Sequence, residues 1–250
     1  MTLIGRYRNG GFEAVADAAN LAVDNTIEGV EDFLIPLDIT SSLNDTDGSE
    51  SLSITISGLP AGSSLTAGTD NGDGSWTLSP DQLEGLQLQP GQHISGAFDL
   101  TVTATTTEAA NGDTAVVTQQ IGLNILPDPD APVVNVTSSL GNEDLEIPLN
   151  IDASLVDQDG SETLSITISG VPNGALLSAG TQVSEGVWEV APADLANLKI
   201  TPPANSNEDF ELTVTATATE SNGEFAETSV QVPVTVLGVA DAPELTTNTI

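Results

Sequence analysis

Apolar and polar residues alternate along much of this 250-residue chain. The clearest runs are 164–168, 212–218 and 230–236, where every second residue is apolar and most intervening residues are polar. A period of two with one apolar face is typical of a half-buried antiparallel strand. A similar alternation over 145–151 predicts another strand, although Pro148 interrupts it. Helical periodicity is confined to possible single turns at 80–83 and 192–195. The pattern therefore predicts an all-β protein.

Turn residues punctuate these strands regularly. Asn111-Gly112 and Asn222-Gly223 each separate two long strand patterns, which indicates a hairpin. About seven short strands per hundred residues favour an immunoglobulin-like β-sandwich. Trp76 and Trp188 each lie in a short strand, and we expect both rings to anchor a core. A sugar-stacking role would require a ring that faces solvent.

The chain repeats itself. Residues 45–60 return with few changes as 157–172, and 98–105 return as 210–217. We assign 17–129 to a first sandwich repeat, 130–240 to a second, and 241–250 to the start of a third. Residues 1–16 have no counterpart in the second repeat and are assigned to a non-repeat leader, either a neighbouring region or an addition to the natural chain. Repetition on this scale favours a spacing role over catalysis.

The segment 126–132 joins the two repeats and contains three prolines. Proline fixes φ and removes a hydrogen-bond donor, so such a segment is stiff. A flexible joint would use Gly and Ser instead. We therefore expect tandem sandwiches arranged as an extended rod.

The charge balance is extreme, with 37 acidic residues against 3 basic ones and a net charge of −34. Nucleic acid is excluded as a partner because phosphate binding needs Lys and Arg, and anionic membrane surfaces are disfavoured for the same reason. No apolar run is long enough to insert into a bilayer. Residues 1–16 lack the apolar core of a secretion signal. The chain has no cysteine, so an exported protein of this kind would need a clamp other than a disulfide.

Two acidic loops offer such a clamp. Residues 45–50 and 157–162 share the pattern Asp-x-Asp-Gly-Ser-Glu. Alternate Asp side chains in a tight turn converge, and hard carboxylate oxygens suit Ca²⁺. The loops are not EF-hands, since the twelve-residue loop and flanking helices are absent. A solvated turn with Asx-type backbone hydrogen bonds is the alternative interpretation.

Strand direction favours metal binding. In an antiparallel sandwich, the loop after the second strand returns to the end of the unit where the first strand begins, and the linker lies at that end. The loop after the first strand lies at the opposite end, facing the next unit. Acids from these sources could hardly sit together without a cation. The predicted Ca²⁺ ligands are Glu31, Asp32, Asp45, Asp47, Glu50, Asp128, Asp130, Glu143, Asp144, Asp157, Asp159, Glu162 and Asp241.

A second acidic turn, Asp70-Asn71-Gly72-Asp73-Gly74, has no matching Asp pair in the second repeat. We interpret it as a plain hairpin turn.

The order of these motifs resembles the tandem immunoglobulin-like or cadherin-like repeats of giant bacterial repeats-in-toxin adhesins. The resemblance covers residues 17–250 and rests on the acidic loop, Leu-Ser-Ile-Thr-Ile-Ser-Gly-x-Pro, the Trp strand and Leu-Thr-Val-Thr-Ala-Thr. The linker Asp-Pro-Asp-Ala-Pro is also similar to cadherin calcium linkers, without their fuller Asp/Asn run. The resemblance to these adhesin repeats implies type I secretion, an extracellular location on the bacterial cell surface, calcium rigidification and a role in cell adhesion or biofilm formation.

Three functions follow for comparison. The first is a calcium-stiffened spacer that is monomeric, contacts neighbouring repeats of its own chain and holds an adhesive tip away from the cell. The second is an adhesive module that binds a glycan or a partner protein. The third, an enzyme, has least support, because the chain has one His (His93), one Lys (Lys199) and no Cys, and its acids lie in predicted turns. We therefore expect a non-enzymatic protein.

Overall fold

A computed structural model describes residues 5–8 and 11–242, and side chains from residue 14 onward. The chain divides into two compact units, residues 1–128 and 129–250. Almost all of the regular structure is β-strand, so the predicted all-β class is confirmed.

The first unit contains thirteen described strands and a 3₁₀ turn at Pro80–Gln82. The strands are β1 Gly5–Arg8, β2 Gly11–Ala14, β3 Asn20–Val23, β4 Thr26–Val30, β5 Ile35–Pro36, β6 Ile39–Ser42, β7 Glu50–Ser57, β8 Ser64–Leu65, β9 Thr69–Asp70, β10 Trp76–Leu78, β11 Gln87–Gln89, β12 Gly96–Glu108 and β13 Thr114–Leu126.

The second unit repeats this order with eleven described strands and a 3₁₀ turn at Pro192–Asn197. The strands are β14 Val133–Thr137, β15 Ser139–Asn142, β16 Ile147–Pro148, β17 Asn150–Ser154, β18 Glu162–Ser169, β19 Leu176–Leu177, β20 Thr181–Ser184, β21 Val187–Val190, β22 Lys199–Thr201, β23 Phe210–Glu220 and β24 Phe225–Leu237.

Each unit is a sandwich whose larger sheet has six strands. The order is β4-β13-β12-β7-β10-β9 in the first unit and β15-β24-β23-β18-β21-β20 in the second. Two smaller sheets face it in each unit. Their orders are β5-β11-β8 and β3-β6 in the first unit, and β16-β22-β19 and β14-β17 in the second. Each unit has its own hydrophobic core, formed by side chains from both layers. β1 and β2 form a separate antiparallel hairpin.

The long strands place their apolar face as the alternation predicts. In β23, Leu212, Val214 and Ala216 are fully buried. The intervening threonines form the outer face, where Thr215 Oγ1 lies 2.8 Å from Ser229 Oγ on β24. Branched side chains suit this pleated surface. The strand assignments over 164–168, 212–218 and 230–236 are therefore confirmed.

The first strand of each unit differs from the expectation of simple antiparallel pairing. It is split in two: β3 pairs antiparallel with β6, whereas β4 runs parallel to β13. The second unit has the same arrangement in β14 and β15. Glu31 follows β4, and its N–H donates to the Leu126 carbonyl at the end of β13 (3.0 Å). The parallel pairing thus brings this acid to the end of the unit's last strand.

The single strand predicted over 145–151 is wrong. The segment forms the two short strands β16 and β17, and Leu145 lies outside them, 59% exposed. Pro148 ends β16, because proline cannot donate a ladder hydrogen bond. Leu149 between the strands donates instead to the Leu198 carbonyl (2.9 Å).

Both tryptophans belong to the cores, as predicted. Trp188 is buried in the second core, and the partly buried Trp76 packs against the first. The acidic turn at 70–74 is a hairpin turn between β9 and β10, and Asp70 and Asp73 accept the Gly72 and Ser75 N–H groups within it. The segment therefore forms the predicted hairpin turn.

Candidate metal centre

The acidic loop of the second unit is wound tightly by its own side chains. Asp157 Oδ1 accepts the Asp159 N–H (2.8 Å), and Asp159 Oδ1 accepts the Ser161 N–H (2.6 Å). Gly160 has φ 97°, in the left-handed region that favours glycine. The loop before β7 in the first unit repeats both hydrogen bonds. These bonds are the local reason why Asp-x-Asp-Gly folds into a turn.

A glutamate at the start of the following strand closes this loop. Glu162 begins β18 and is 7% exposed, and its Oε1 accepts the Asp130 N–H at 2.9 Å. Glu50, which begins β7, accepts the Asp17 N–H at 2.6 Å in the same way. Among the described residues, Oε2 of both glutamates is buried without a hydrogen-bond partner. Each glutamate therefore keeps one carboxylate oxygen available for a cation.

A further glutamate that sequence reasoning missed lies at the same end of the unit. Glu220 is the last residue of β23, only 3% exposed, and its Oε2 is also buried with no hydrogen-bond partner in the described chain. Ser161 Oγ lies 3.3 Å from Asp157 Oδ2 and 3.4 Å from Glu220 Oε1, so one hydroxyl links the loop to this strand. Asp157 is itself 2% exposed. Three buried carboxyl groups thus converge at one end of the second unit.

The first unit has the matching residue Glu108, the last residue of β12 and 4% exposed. The alternation itself carried the signal for both residues. Glu220 continues the buried series of β23 after Ala216 and Ala218, so a charged residue occupies a position that faces the core. An acid in that register is rarely buried unless it is paired or coordinates a metal.

The electrostatics of the second unit show the cost of bringing these acids together. Burial raises the pKa of Glu162, and the charges of Glu220 and Asp157 raise it further, against the lowering effect of the Asp130 N–H hydrogen bond. Burial also raises the pKa of Glu220, again with contributions from Asp157 and from Asp159. A low-dielectric site with like charges disfavours ionisation. The ionised cluster is therefore destabilised unless a cation joins it.

Neither lysine nor arginine compensates for the charges of Glu162 and Glu220 in the described part of the chain. Lys199 is the only lysine in the sequence, and its Nζ pairs with Glu146 Oε2 at 2.7 Å. The two arginines lie at positions 6 and 8, whose side chains are outside the described set. Buried carboxylate oxygens without a cationic partner are the donor set expected for a hard divalent ion such as Ca²⁺.

The opposite end of each unit carries a second buried glutamate. Glu31 is 1% exposed, and its Oε1 accepts the Asp128 N–H at 2.8 Å. Glu143 occupies the same place in the second unit and accepts the Val239 N–H at 2.6 Å. The predicted residues Glu31 and Asp128 are therefore brought together within the first unit, although the Asp128 side chain itself is exposed.

The aspartates after these glutamates have a different local role. Asp32 and Asp144 both have positive φ, and their side chains accept the N–H groups of His93 (3.2 Å) and Asn205 (2.8 Å). His93 Nδ1 also lies 3.4 Å from Asp32 Oδ2. Each aspartate fixes a loop residue that itself has a positive φ. One carboxylate oxygen of each aspartate is therefore already engaged by the protein backbone.

The remaining predicted ligands lie at the rim. Asp45 and Asp130 are half-buried, whereas Asp47, Asp159 and Asp241 are exposed. A hydrogen bond from Ser49 lowers the pKa of Asp47, which keeps that carboxylate ionised. Both 3₁₀ turns are short, and the described residues contain no helix suited to crossing a membrane.

Comparisons with known proteins give similarity at the level of fold. The sequence matches no protein-family model and no curated protein sequence. Similar solved structures are extracellular domains of cadherins. Mouse cadherin-23 EC22-24 has 14% identity and a TM-score of 0.44, covering 88% of this chain and 67% of its own. Human mucin-like protocadherin EC1-2 has 14% identity and a TM-score of 0.40, covering 88% and 99%. Protocadherin gamma B2 domains 3-6 have 14% identity and a TM-score of 0.43. This chain covers 50% of that last chain.

Proposed function

We propose that this protein is a calcium-stiffened spacer module of a large bacterial surface adhesin, one that projects an adhesive tip for attachment or biofilm formation. The observation that carries the proposal is the set of buried carboxylates at one end of the second unit. Glu162 and Glu220 each have a buried oxygen without a hydrogen-bond partner among the described residues, and Asp157 is buried beside them. In the first unit Glu50 also has a buried oxygen without a hydrogen-bond partner among the described residues, and Glu108 is buried at the end of β12.

The donor set fits Ca²⁺. It consists of hard carboxylate oxygens from a tight loop and from two strand ends, and Ca²⁺ accepts six to eight such ligands in variable geometry. In the second unit Asp130, Asp157, Asp159, Glu162 and Glu220 would hold the ion. When bound, the ion would supply the positive charge that the surrounding side chains lack. From chain order alone, we further propose that Glu31, Asp32 and Asp128 share ions with this set, and that Glu143, Asp144 and Asp241 serve the next unit.

Binding to the folded state alone would stabilise it. A ligand at about one hundred times its Kd adds about 2.7 kcal/mol to the free energy of unfolding. That is a large share of the roughly 5–15 kcal/mol that stabilises a typical domain. Calcium would therefore act here as the clamp that disulfides provide in other exported proteins.

The spacer assignment rests on repetition. Two units that repeat their strand order and their acidic positions would each do the same mechanical work, as in other repeat arrays. We accordingly propose sandwich repeats at 17–129 and 130–240, an extended monomeric rod, a non-enzymatic role and location at the cell surface. The assigned third repeat at 241–250 lies almost wholly outside the described residues.

The test combines calorimetric Ca²⁺ titration with small-angle scattering of the whole protein, with and without a chelator. We expect saturable binding, and a maximum dimension that becomes better defined in Ca²⁺. A variant carrying Asp157→Asn and Asp159→Asn should lose binding heat, whereas Asp70→Asn with Asp73→Asn should not. Absence of binding at millimolar Ca²⁺ would refute the metal role and leave only an acidic spacer.

A glycan-binding role has no specific observation in its favour. An exposed Trp76 would have supported it, but this ring packs against the core. A glycan array with the intact protein distinguishes the two functions directly.

A further inference from the structure

The sequence contains five Asn-Gly pairs, and the structure describes four of them: 71–72, 111–112, 173–174 and 222–223. Asn-Gly is the dipeptide most prone to spontaneous deamidation, because glycine leaves its own nitrogen unhindered. For the reaction to occur, the glycine nitrogen must be free to reach the asparagine side-chain carbon. The four pairs differ sharply in this respect.

Three of the four pairs are held in place. The Gly112 and Gly223 N–H groups donate to the carbonyls of Glu108 (2.8 Å) and Glu220 (2.9 Å). The Gly72 N–H donates to Asp70 Oδ1 at 2.8 Å. In each case the glycine nitrogen is directed away from the neighbouring side chain by a hydrogen bond.

The asparagine side chains of these three pairs are also held. Asn111 Oδ1 accepts the Asp113 N–H (2.9 Å), and Asn222 Oδ1 accepts the Glu224 N–H (2.8 Å). Asn71 Nδ2 donates to Ser75 Oγ at 2.9 Å. Both reacting groups of each pair are therefore engaged by the fold.

The fourth pair is not. Asn173 and Gly174 are exposed at the centre of a turn closed by the Ala175 N–H and the Pro172 carbonyl at 3.0 Å. Within residues 5–8 and 11–242, neither the Asn173 amide nor the Gly174 N–H has a hydrogen-bond partner. Gly174 has φ 89°. A Cβ placed on Gly174 would have one described neighbour within 4 Å, Pro203 Cβ at 3.6 Å. Both groups are thus open to water and are not engaged by the fold.

We propose that Asn173 is a site of spontaneous deamidation, and that the fold protects the other three described pairs. The Gly174 nitrogen attacks Cγ of Asn173, so that a new N–Cγ bond forms and the Cγ–Nδ2 bond breaks. The departing nitrogen takes the proton from the glycine nitrogen and leaves as ammonia. One water molecule then opens the cyclic imide at either carbonyl, which gives aspartate or isoaspartate. No oxidant or enzyme is required.

The modification changes the end of the unit that carries Glu143 and Asp144. It places a new carboxylate on a turn that lies beside Pro203. Pro203 belongs to the loop that also carries Asn205, whose N–H donates to Asp144. The isoaspartate product also lengthens the backbone within the turn, between Val171 and Ala175, which are both buried. The first unit has Ala61 at the position of Asn173, so its equivalent turn cannot undergo this reaction.

Peptide mapping by mass spectrometry tests the inference. The intact protein is held at mildly alkaline pH, and deamidation is followed at each pair over time. We expect Asn173 to convert at least about tenfold faster than Asn71, Asn111 or Asn222, a ratio equivalent to about 1.4 kcal/mol. That is the order of one net hydrogen bond. In denaturant the four pairs should convert at similar rates, because only the fold distinguishes them.

The control variant is Asn173→Ala, which copies the first unit and should leave a protein in which the described pairs convert slowly. A ratio well below tenfold in the folded protein would overturn the proposal, as would conversion of Asn111 or Asn222 before Asn173. Persistence of the Asn173 rate advantage in denaturant would also overturn it, since local sequence would then set the order. The proposal is independent of calcium binding.

Discussion

Neutralising Glu220 tests the electrostatic argument most directly. This buried carboxylate faces Asp157 across the Ser161 hydroxyl, which lies within 3.4 Å of both. Carboxylate oxygens of Asp157 and Glu220 lie within 4.8 Å of each other, and two unit charges at that separation repel by about 3.5 kcal/mol at an effective dielectric of about 20. Gln has the same shape and retains an oxygen that can accept from Ser161. Solvent partly screens this repulsion. We therefore expect Glu220→Gln to raise the free energy of unfolding by about 1–2 kcal/mol when a chelator has removed calcium.

Calcium should remove this advantage. If the variant binds Ca²⁺ about tenfold more weakly, the calcium-induced stabilisation falls by about 1.4 kcal/mol. At about 4 °C per kcal/mol for a domain of this size, the wild-type calcium shift of about 10 °C would drop to about 5 °C. The unfolding midpoint of the variant should thus be higher than that of the wild type without calcium, and calcium should raise it by less.

The assay is thermal unfolding followed by Trp188 fluorescence in a Trp76→Phe background, so that the signal reports on the second unit. The matched control is Glu185→Gln, which changes the same charge at an exposed hairpin position and should leave both values nearly unchanged. The reasoning would be refuted if Glu220→Gln were less stable than the wild type in the presence of a chelator. It would also be refuted if calcium raised the unfolding midpoint of the variant as much as that of the wild type.

Three further outcomes follow from the structure. Because the folded-state pKa values of Glu162 and Glu220 are raised, the folded protein takes up protons before the unfolded chain does. The metal-free midpoint should therefore rise as pH is lowered from neutral towards the ordinary carboxyl range, and Glu162→Gln with Glu220→Gln should flatten that slope; a steady fall would contradict it. Thr106 is fully buried, and its hydroxyl has no hydrogen-bond partner in the described chain, so Thr106→Val should not destabilise the first unit. The reciprocal Ala218→Thr should cost about 1–3 kcal/mol in urea unfolding, and a costly Thr106→Val would indicate a missed partner. Gly170→Ala should lower the free energy of unfolding by more than the roughly 1–2 kcal/mol expected for a left-handed residue, because its Cβ would lie 2.6 Å from the Glu211 carbonyl oxygen. Gly223→Ala is the control, since its Cβ would meet open space. Equal losses of stability in urea unfolding would show that the contact at Gly170 relaxes.

Much of the candidate metal centre could be predicted from the sequence because its loop is local. Asp157, Asp159 and Gly160 form their turn through hydrogen bonds two residues apart, so the motif carries its own geometry. Glu162 adjoins that loop in sequence. The convergence of Glu220 could not be found by motif, since it depends on β23 ending beside β18. Its only local signal was an acid in a core-facing register.

His93 is a feature that the sequence did not reveal. It is half-buried with φ 53°, and its N–H donates to Asp32. Asn205 has the same conformation and the same kind of hydrogen bond in the second unit. Positive φ at a residue other than glycine reflects tertiary packing and is not visible in the residue type alone.

The sequence by itself determined the all-β class, the long strands, the hairpins and the acidic turns, because alternation and turn chemistry act over a few residues. The tertiary structure decided the split of each first strand into antiparallel and parallel halves, the placement of β16 and β17 in different sheets and the burial of Glu108 and Glu220. These features depend on which strands become neighbours. Pairing between distant segments is settled by the whole core, and a local pattern can suggest such a pairing but cannot fix it.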